Sequence, residues 1–297
     1  MTAEPHIARA ILLFILAGFF LSSLDATAKA LVRDYPVWWV VWARYAAHIL
    51  IVIPIAWTKV GPGFWRTRRP VLQLGRGAML LIATIAFFSA LRYLPLAEAS
   101  AISFLAPLFI VLLSGPLLGE KVSLARWMAV GAGFAGILLI TRPGSAAFQP
   151  ATLLMVVMAL CNALYQLLTR KLIGESIYTT LFYSGVAGAV GFTLFLPFVA
   201  PHPLPGAFDA MLFVALGLFA GLGHWSMISA FLLAQASRLT PFTYLQMAWP
   251  LLFGWVLFGQ FPDHVSIIGI VVIVVAGLWL AWQERTRTTP SIAPPAD

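Results

Sequence analysis

Ten apolar runs, each close to the roughly 20 residues that a helix needs to cross a bilayer, dominate the 297-residue sequence. Short loops with Gly and Pro separate the runs, and no soluble domain of useful size remains between them. Charged residues make up 9% of the chain, against roughly 25% in soluble domains. The sequence therefore predicts an all-α integral membrane protein. The predicted spans are 9–31, 37–57, 73–91, 97–118, 124–141, 151–170, 178–198, 209–234, 240–260 and 264–282.

The net charge of +8 does not indicate a nucleic-acid partner, because the basic residues lie in short loops between apolar runs. If the N-terminus is cytoplasmic, 13 of the 18 Lys and Arg residues fall on the inner side and 4 on the outer side, with Arg44 inside a span. This bias predicts a multi-pass protein of the cell inner membrane with both termini cytoplasmic. The lipid bilayer and a small-molecule substrate are the expected partners, and the protein is expected to be a monomer or homodimer.

An internal repeat relates the two halves of the chain. The segment LSSLDATAKALV, Leu21 to Val32, aligns with NALYQLLTRKLI, Asn162 to Ile173, at a shift of 141, and later segments align at a shift of 140. Because each copy holds five spans, the second copy enters the membrane from the opposite side. The sequence thus predicts two inverted five-helix repeats, with the substrate site at their interface near the midplane. The expected units are 9–143 and 150–283, followed by a disordered cytoplasmic tail, 284–297.

The chain resembles the drug/metabolite transporter superfamily, specifically its EamA-type branch, from about residue 9 to residue 283. The resemblance rests on the ten spans, the two copies and the block LAEASAISFLAPLF…LLGEKVS, Leu96 to Ser123. The second copy departs from this pattern at two positions. Gln260 stands where the first copy has an acidic residue, and Pro250 lies three residues away from the position that aligns with Pro107. The resemblance implies a carrier of small metabolites whose central cavity is lined mainly by spans 1, 3, 4, 6, 8 and 9.

Four charged residues in or near spans are candidates for ion coupling or for structural ion pairs. A charge at the bilayer centre costs about 2.5–3.5 kcal/mol even on lenient scales. Asp25 is either a proton or cation site or the partner of Lys29, one turn away, or of Arg44 on span 2. Glu98 lies beside Arg92 at the predicted start of span 4, where an acid also suits the helix N-terminus. The coupling or ion-pair candidates are Asp25, Lys29, Arg44 and Glu98.

The substrate-binding candidates are polar and aromatic residues on spans that should form the cavity. Span 6 carries two amides on one helical face, symmetric to the face of Asp25 on span 1. Span 8 carries a His-Trp pair near its middle. Each of these side chains has an ordinary alternative, as packing within helix–helix seams or as a satisfied buried group. The candidates are Asn162, Gln166, His224, Trp225, Tyr244, Gln246, Trp249 and Phe104.

These features predict a secondary active transporter that moves a small amphipathic metabolite by alternating access, with the proton as candidate coupling ion. A channel-like or exchange-only permease is the alternative. A membrane-embedded enzyme is disfavoured, because HExxH, GxSxG and CxxC patterns do not occur and the five histidines are scattered. No metal or cofactor is expected. The resemblance leaves the substrate open among amino acids, riboflavin, S-adenosylmethionine, opine-type metallophores and drugs, and it leaves the direction of transport open.

Overall fold

A computed structural model describes residues 4–118, 124–144, 148–172, 174–195, 205–233, 239, 242 and 245–287. In these residues the only regular secondary structure is helical, which confirms the all-α prediction. The last helix includes 284–287 of the predicted tail, and the rest of the tail lies outside the described residues. The helices are α1 Glu4–Asp34, α2 Val37–Val60, α3 Pro70–Leu91, α4 Leu96–Ser103, α5 Leu105–Leu118, α6 Leu124–Thr141, α7 Thr152–Arg170, α8 Ile177–Phe195, α9 Ala207–Leu233, α10 Ala248–Phe258 and α11 His264–Arg287.

Six of these helices, namely α1, α2, α3, α7, α8 and α9, are long and apolar enough to cross a membrane on their own. The other four spans lie in shorter apolar helical stretches, Leu96–Ile110, Trp127–Thr141, Ala248–Phe258 and His264–Trp279. One of these spans comprises α4 and α5, which are separated by a turn at Phe104. The backbone N–H of Phe104 donates to the carbonyl of Ala101 at 3.1 Å. The ten-span prediction is confirmed.

The contacts between helices follow the internal repeat. At a shift of about 140, α1 corresponds to α7, α2 to α8, α3 to α9 and α6 to α11. The packing of α1 on α9 therefore has its counterpart in the packing of α7 on α3, and α2 on α9 has its counterpart in α8 on α3. The remaining major pairs, α2 with α8 and α6 with α11, join helices that correspond to each other. This arrangement confirms two inverted five-helix repeats that interleave rather than stand apart.

Two glycines show how closely the repeats match. A Cβ added at Gly77 on α3 would lie 2.8 Å from the carbonyl oxygen of Tyr183 and 3.3 Å from the Cβ of Ala187, both on α8. A Cβ added at Gly217 on α9 would meet the Cβ of Ala47 on α2. A shift of 140 converts the pair Gly77–Ala187 into the pair Gly217–Ala47. Both crossings need the absence of a side chain, which is how small residues let membrane helices approach.

Candidate functional site

A small polar pocket lies where α2 and α3 of the first repeat face α7, α8 and α9 of the second. Its volume is about 20 Å³, which is enough for one water or a group of similar size, since a water needs roughly 10–15 Å³. Both repeats contribute side chains to it. The lining residues are Arg44, Tyr45, His48, Leu80, Tyr165, Leu181, Ser184, Ala220 and His224.

The repeat places corresponding residues around this pocket. Arg44 on α2 corresponds to Ser184 on α8 at a shift of 140, and both line the pocket. His224 on α9 corresponds to Thr84 on α3, whose hydroxyl binds Arg44. The pocket therefore lies on or near the pseudo-twofold axis, which is where a site shared by inverted repeats is expected.

The guanidinium of Arg44 lies at one edge of the pocket, where a hydrogen bond and an aromatic ring hold it. Its Nη1 donates to Oγ1 of Thr84 at 2.6 Å, and its Cζ lies 5.3 Å from the ring centre of Tyr45. Thr84 gives its own hydroxyl proton to the carbonyl of Leu80 at 2.9 Å. The hydroxyl of Tyr45 must therefore donate to Thr84, across a distance of 2.9 Å. Among the described residues, the other N–H groups of Arg44 have no hydrogen-bond acceptor.

A second guanidinium, that of Arg76 on α3, lies behind the pocket wall and is only 3% exposed. Its Nε donates to Oγ1 of Thr169 at 2.6 Å, its Nη1 to Oγ of Ser184 at 2.7 Å, and its Nη2 to the hydroxyl of Tyr165 at 2.7 Å. Nη1 also donates to the carbonyl of Thr180 at 3.1 Å. All four acceptors are neutral, and within the described ranges no carboxylate lies within salt-bridge distance of this arginine.

The two histidines of the pocket face each other, with ring centres 6.1 Å apart. His48 lies 3.1 Å through Nε2 from the carbonyl oxygen of Leu181. Because a carbonyl can only accept, Nε2 of His48 carries a proton, and Nδ1 is the acceptor of the neutral ring. His224 is half-buried on α9.

A larger cavity of 290 Å³ adjoins the pocket and shares His48, Leu181 and His224 with it. The cavity runs between α2, α8 and α9 as far as Lys59, in the last turn of α2. That end of α2 is the one farther from the loop that joins α1 to α2. Its walls are mostly apolar, and the further lining residues are Ile51, Val52, Ile55, Ile177, Tyr178, Gly221, Trp225 and Ser229.

The substrate-binding candidates fall in several places. His224 and Trp225 line the 290 Å³ cavity, and Trp225 is 61% exposed. The side chain of Gln246 donates to the backbone carbonyl of Phe14 at 2.9 Å, and the ring of Trp249 packs edge-on against Phe19 at 5.2 Å. Both residues thus connect α1 to the segment around α10. As candidates for substrate contact, all four stay predictions.

The remaining candidates lie away from the cavity or outside the described residues. Phe104 lines a separate cleft of about 20 Å³ between α5, α6 and α11. Asn162 is half-buried and Gln166 is exposed, both on α7, and neither lines the pocket or the cavity. Tyr244 lies outside the residues that the structure describes. Their substrate roles also stay predictions.

The candidate coupling residues divide between the pocket and the end of the bundle that holds the loop from α1 to α2. The positive charge of Arg44 interacts electrostatically with Asp25. In the described part of the chain, however, no salt bridge within 4 Å joins Asp25 to Arg44 or Lys29. Lys29 instead donates through Nζ to the carbonyls of Leu91 at 3.0 Å and Leu94 at 2.6 Å. The coupling role of Asp25 stays a prediction.

Glu98 takes part in a polar cluster, called here the Glu98 cluster, that comprises Glu98, Arg142, Asp263 and Ser266. Its carboxylate accepts a hydrogen bond from Oγ of Ser266 at 3.1 Å. Arg142 forms an ion pair with Asp263, and Asp263 also accepts from the backbone N–H of Ser266 at 2.8 Å. The hydrogen bond from Arg142 holds the pKa of Asp263 well below its ordinary value. The cluster ties α4, α6 and α11 together.

Sequence reasoning missed several polar residues of the site, namely Tyr45, His48, Arg76, Tyr165 and Ser184. Arg76 lies within α3 and is buried against α7 and α8 rather than exposed in a loop. Its position inside the predicted span 73–91 was the available signal. Ser184 could have been identified from the internal repeat, because it aligns with Arg44 at a shift of 140 residues.

Comparison with known proteins gives a consistent family assignment. The chain matches the EamA-like transporter family twice, over residues 8–142 and 149–282. A solved structure with 23% sequence identity, covering 95% of this chain and 99% of its own, superposes with a TM-score of 0.66. That likeness supports the fold.

Named relatives cover nearly the whole chain at modest identity. An S-adenosylmethionine uptake transporter of Rickettsia felis is 28% identical over 276 residues, which is 90% of this chain and 92% of that protein. A riboflavin transporter of Vibrio cholerae is 27% identical over 298 residues, covering 99% of this chain and 100% of the relative. A pseudopaline exporter of Pseudomonas aeruginosa is 28% identical over 282 residues, covering 93% and 96%. These names are those of transporters rather than enzymes.

Proposed function

The chain belongs to the EamA-like transporter family, and on this premise we propose that it is a secondary carrier working by alternating access. It is a multi-pass membrane transporter with a small-molecule substrate. The observation that carries the proposal is the polar pocket between the two repeats, together with the 290 Å³ cavity that connects it to one end of the bundle. A site that both repeats touch is what alternating access requires.

The two ends of the bundle support a state that is closed on one side. The Glu98 cluster joins α4, α6 and α11 at one end, while the cavity extends to Lys59 at the other. If the protein lies in the cell inner membrane with both termini on the cytoplasmic side, the cavity opens toward the cytoplasm. The carrier would then bind or release its substrate on the cytoplasmic side in this state. It would open to the other side when the Glu98 cluster separates.

The substrate is a small amphipathic metabolite. The cavity offers apolar and aromatic walls, including Tyr178 and Trp225, and the adjoining pocket offers a few hydrogen-bonding groups. Such a combination of apolar surface with few polar groups is usual in small-molecule sites. S-adenosylmethionine and riboflavin, which the names of two relatives mention, are the first substrates to test.

The proton is the proposed coupling ion, and Asp25 is the proposed carrier of that proton. Asp25 lies within a spanning helix and has Arg44 as its electrostatic partner. Intramembrane acids of this kind commonly belong to proton relays. The variant Asp25→Asn should abolish uptake driven by a pH gradient while exchange across the membrane persists.

Uptake into proteoliposomes tests the proposed function. Purified full-length protein should accumulate radiolabelled S-adenosylmethionine or riboflavin with saturable kinetics, and preloaded unlabelled substrate should accelerate this uptake by counterflow. A pH gradient of one sign should stimulate it. Flux that never saturates and shows no counterflow would instead indicate a channel-like permease, and activity on neither compound would exclude both as substrates.

A further inference from the structure

Among the described residues, the wall of the polar pocket carries positive charge and hydrogen-bond donors and no acidic side chain. We propose that it is a subsite for the carboxylate of the transported molecule, so that the carrier's substrates are amphipathic organic carboxylates. Of the two compounds named above, this favours S-adenosylmethionine, which carries a carboxylate, over riboflavin, which does not. This inference rests on the proposed function, since it defines the chemistry of the same site. Asp25, the acid that acts on Arg44, is not among the lining residues.

Two donors point to an anionic ligand. Arg44 donates one N–H to Thr84, and among the described residues its remaining N–H groups have no hydrogen-bond acceptor. The hydroxyl of Tyr165 accepts a hydrogen bond from Arg76, so its own proton is available to a ligand in the pocket. A guanidinium and a hydroxyl together match the two oxygens of a carboxylate.

Arg76 strengthens the case because its charge is not neutralised. Its hydrogen bonds go to the hydroxyls of Thr169, Ser184 and Tyr165 and to one backbone carbonyl, all uncharged. Its Cζ lies 4.3 Å from the ring centre of Tyr165, so the charge is directly behind the pocket wall. In a low-dielectric interior, an uncompensated cation favours an anion nearby much more strongly than it would in water. Arg76 is therefore a positioning residue that orients and polarises Tyr165.

The sizes of the two spaces divide the ligand into a head and a body. The pocket of about 20 Å³ accommodates a group as small as a carboxylate. The adjoining 290 Å³ cavity has mostly apolar walls and accommodates a body of one or two rings. A molecule with a carboxylate at one end and an apolar or aromatic body would fill both spaces, which share His48, Leu181 and His224.

A matched pair of probes isolates the charge. Indole-3-acetate and indole-3-acetamide have nearly the same shape, but only the acid carries a negative charge at neutral pH. Binding to the purified full-length protein in detergent is measured by calorimetry. The acid should bind about tenfold to a hundredfold more tightly than the amide, as expected for hydrogen bonds to charged groups.

Variants then assign the preference to the pocket. Arg44→Gln should reduce the acid-to-amide ratio to near one, whereas Arg44→Lys should keep part of it, because the charge remains without the planar fork. Tyr165→Phe should reduce the ratio while keeping the ring against Arg76. The control is Arg92→Gln, since Arg92 is exposed on the loop after α3 and should not affect the ratio. Thermal unfolding of each variant shows whether it is folded.

The outcomes separate this inference from the proposed function. Equal binding of acid and amide, no binding of either, or a preference that persists in folded Arg44→Gln overturns the carboxylate subsite. Saturable, counterflow-positive transport of a neutral molecule together with such a result leaves the carrier function standing. An acid preference that Arg44→Gln removes, in a protein that transports nothing in proteoliposomes, would support the subsite and contradict the carrier.

Discussion

The two repeats share their packing but differ in their chemistry. Gly77 against Ala187 and Gly217 against Ala47 are equivalent contacts, one in each half of the molecule. At the pocket the halves diverge, since Arg44 corresponds to Ser184 and Arg76 on α3 corresponds to Leu216, a buried apolar residue on α9. The scaffold has kept the symmetry of the duplication, while the site has lost it.

A physical reason underlies this divergence. Close helix contacts depend on the absence of side chains, and each copy needs that absence equally. A small ligand on a pseudo-twofold axis is itself asymmetric, so it needs charged partners from one copy only. A second arginine at the position of Ser184 would bring another guanidinium into the pocket beside Arg44, and like charges repel strongly in a low-dielectric interior.

The largest expected effect comes from breaking the shared packing. Gly77→Leu and Gly217→Leu should each destabilise the protein by about 1–3 kcal/mol or more, because the new side chain has no space against α8 or α2. Thermal unfolding in detergent and the yield of monodisperse protein measure the loss. Gly75→Leu is the control, since nothing lies within 4 Å of a Cβ at Gly75 on the same helix. Loss in only one of the two glycine variants would contradict equivalent packing.

The next effect comes from removing the difference between the repeats. Arg76→Leu places in the first repeat the residue type that the second repeat holds at Leu216. It should cost about 3 kcal/mol or more, because a charged donor makes four hydrogen bonds there and each is worth roughly 1.5–3 kcal/mol. Unfolding measurements test the stability. Wild-type stability in Arg76→Leu would show that the two positions are interchangeable.

The sequence predicts the fold better than the site for an identifiable reason. Hydropathy and loop charge are local signals, and the repeat is visible in one alignment, so the ten spans and their inversion follow directly. Which helix faces meet is decided by crossings such as Gly77 on α8, and these depend on tertiary packing. The spacing of Asn162 and Gln166 therefore places them on one face of a helix, but it does not identify the residues against which that face packs.

The polar groups show the same limit. Lys29 was paired with Asp25 as one alternative because they are one turn apart, but its ammonium donates to the carbonyl of Leu91 at the end of α3 and to that of Leu94 in the following loop. Backbone carbonyls at helix ends have no signature in the sequence. Gln246 similarly donates to the carbonyl of Phe14. Side chains that pair with the backbone of a distant helix are the ones that residue patterns identify least well.

The smallest expected effect concerns the Glu98 cluster. Asp263→Asn should lower the melting temperature slightly at neutral pH, because Arg142 loses its ion-pair partner. Since the folded-state pKa of Asp263 is depressed, its contribution is fully present above the ordinary pKa of a carboxyl group and is lost as the pH falls through the folded-state value. The difference between wild type and variant should therefore shrink in acid. A difference that stays constant with pH would contradict the ion-pair account.

The most direct test of the central claim, that the space between the repeats is the transport site, is protection of an introduced thiol. Ser229→Cys, in a Cys161→Ala background, places a thiol on the wall of the 290 Å³ cavity, and Trp282→Cys places one on the exposed surface of α11. A water-soluble thiol reagent should modify Ser229→Cys, and saturating transported substrate should slow that reaction while leaving Trp282→Cys unaffected. A Ser229→Cys thiol that is unreactive in every state, or that substrate does not protect, would contradict the account.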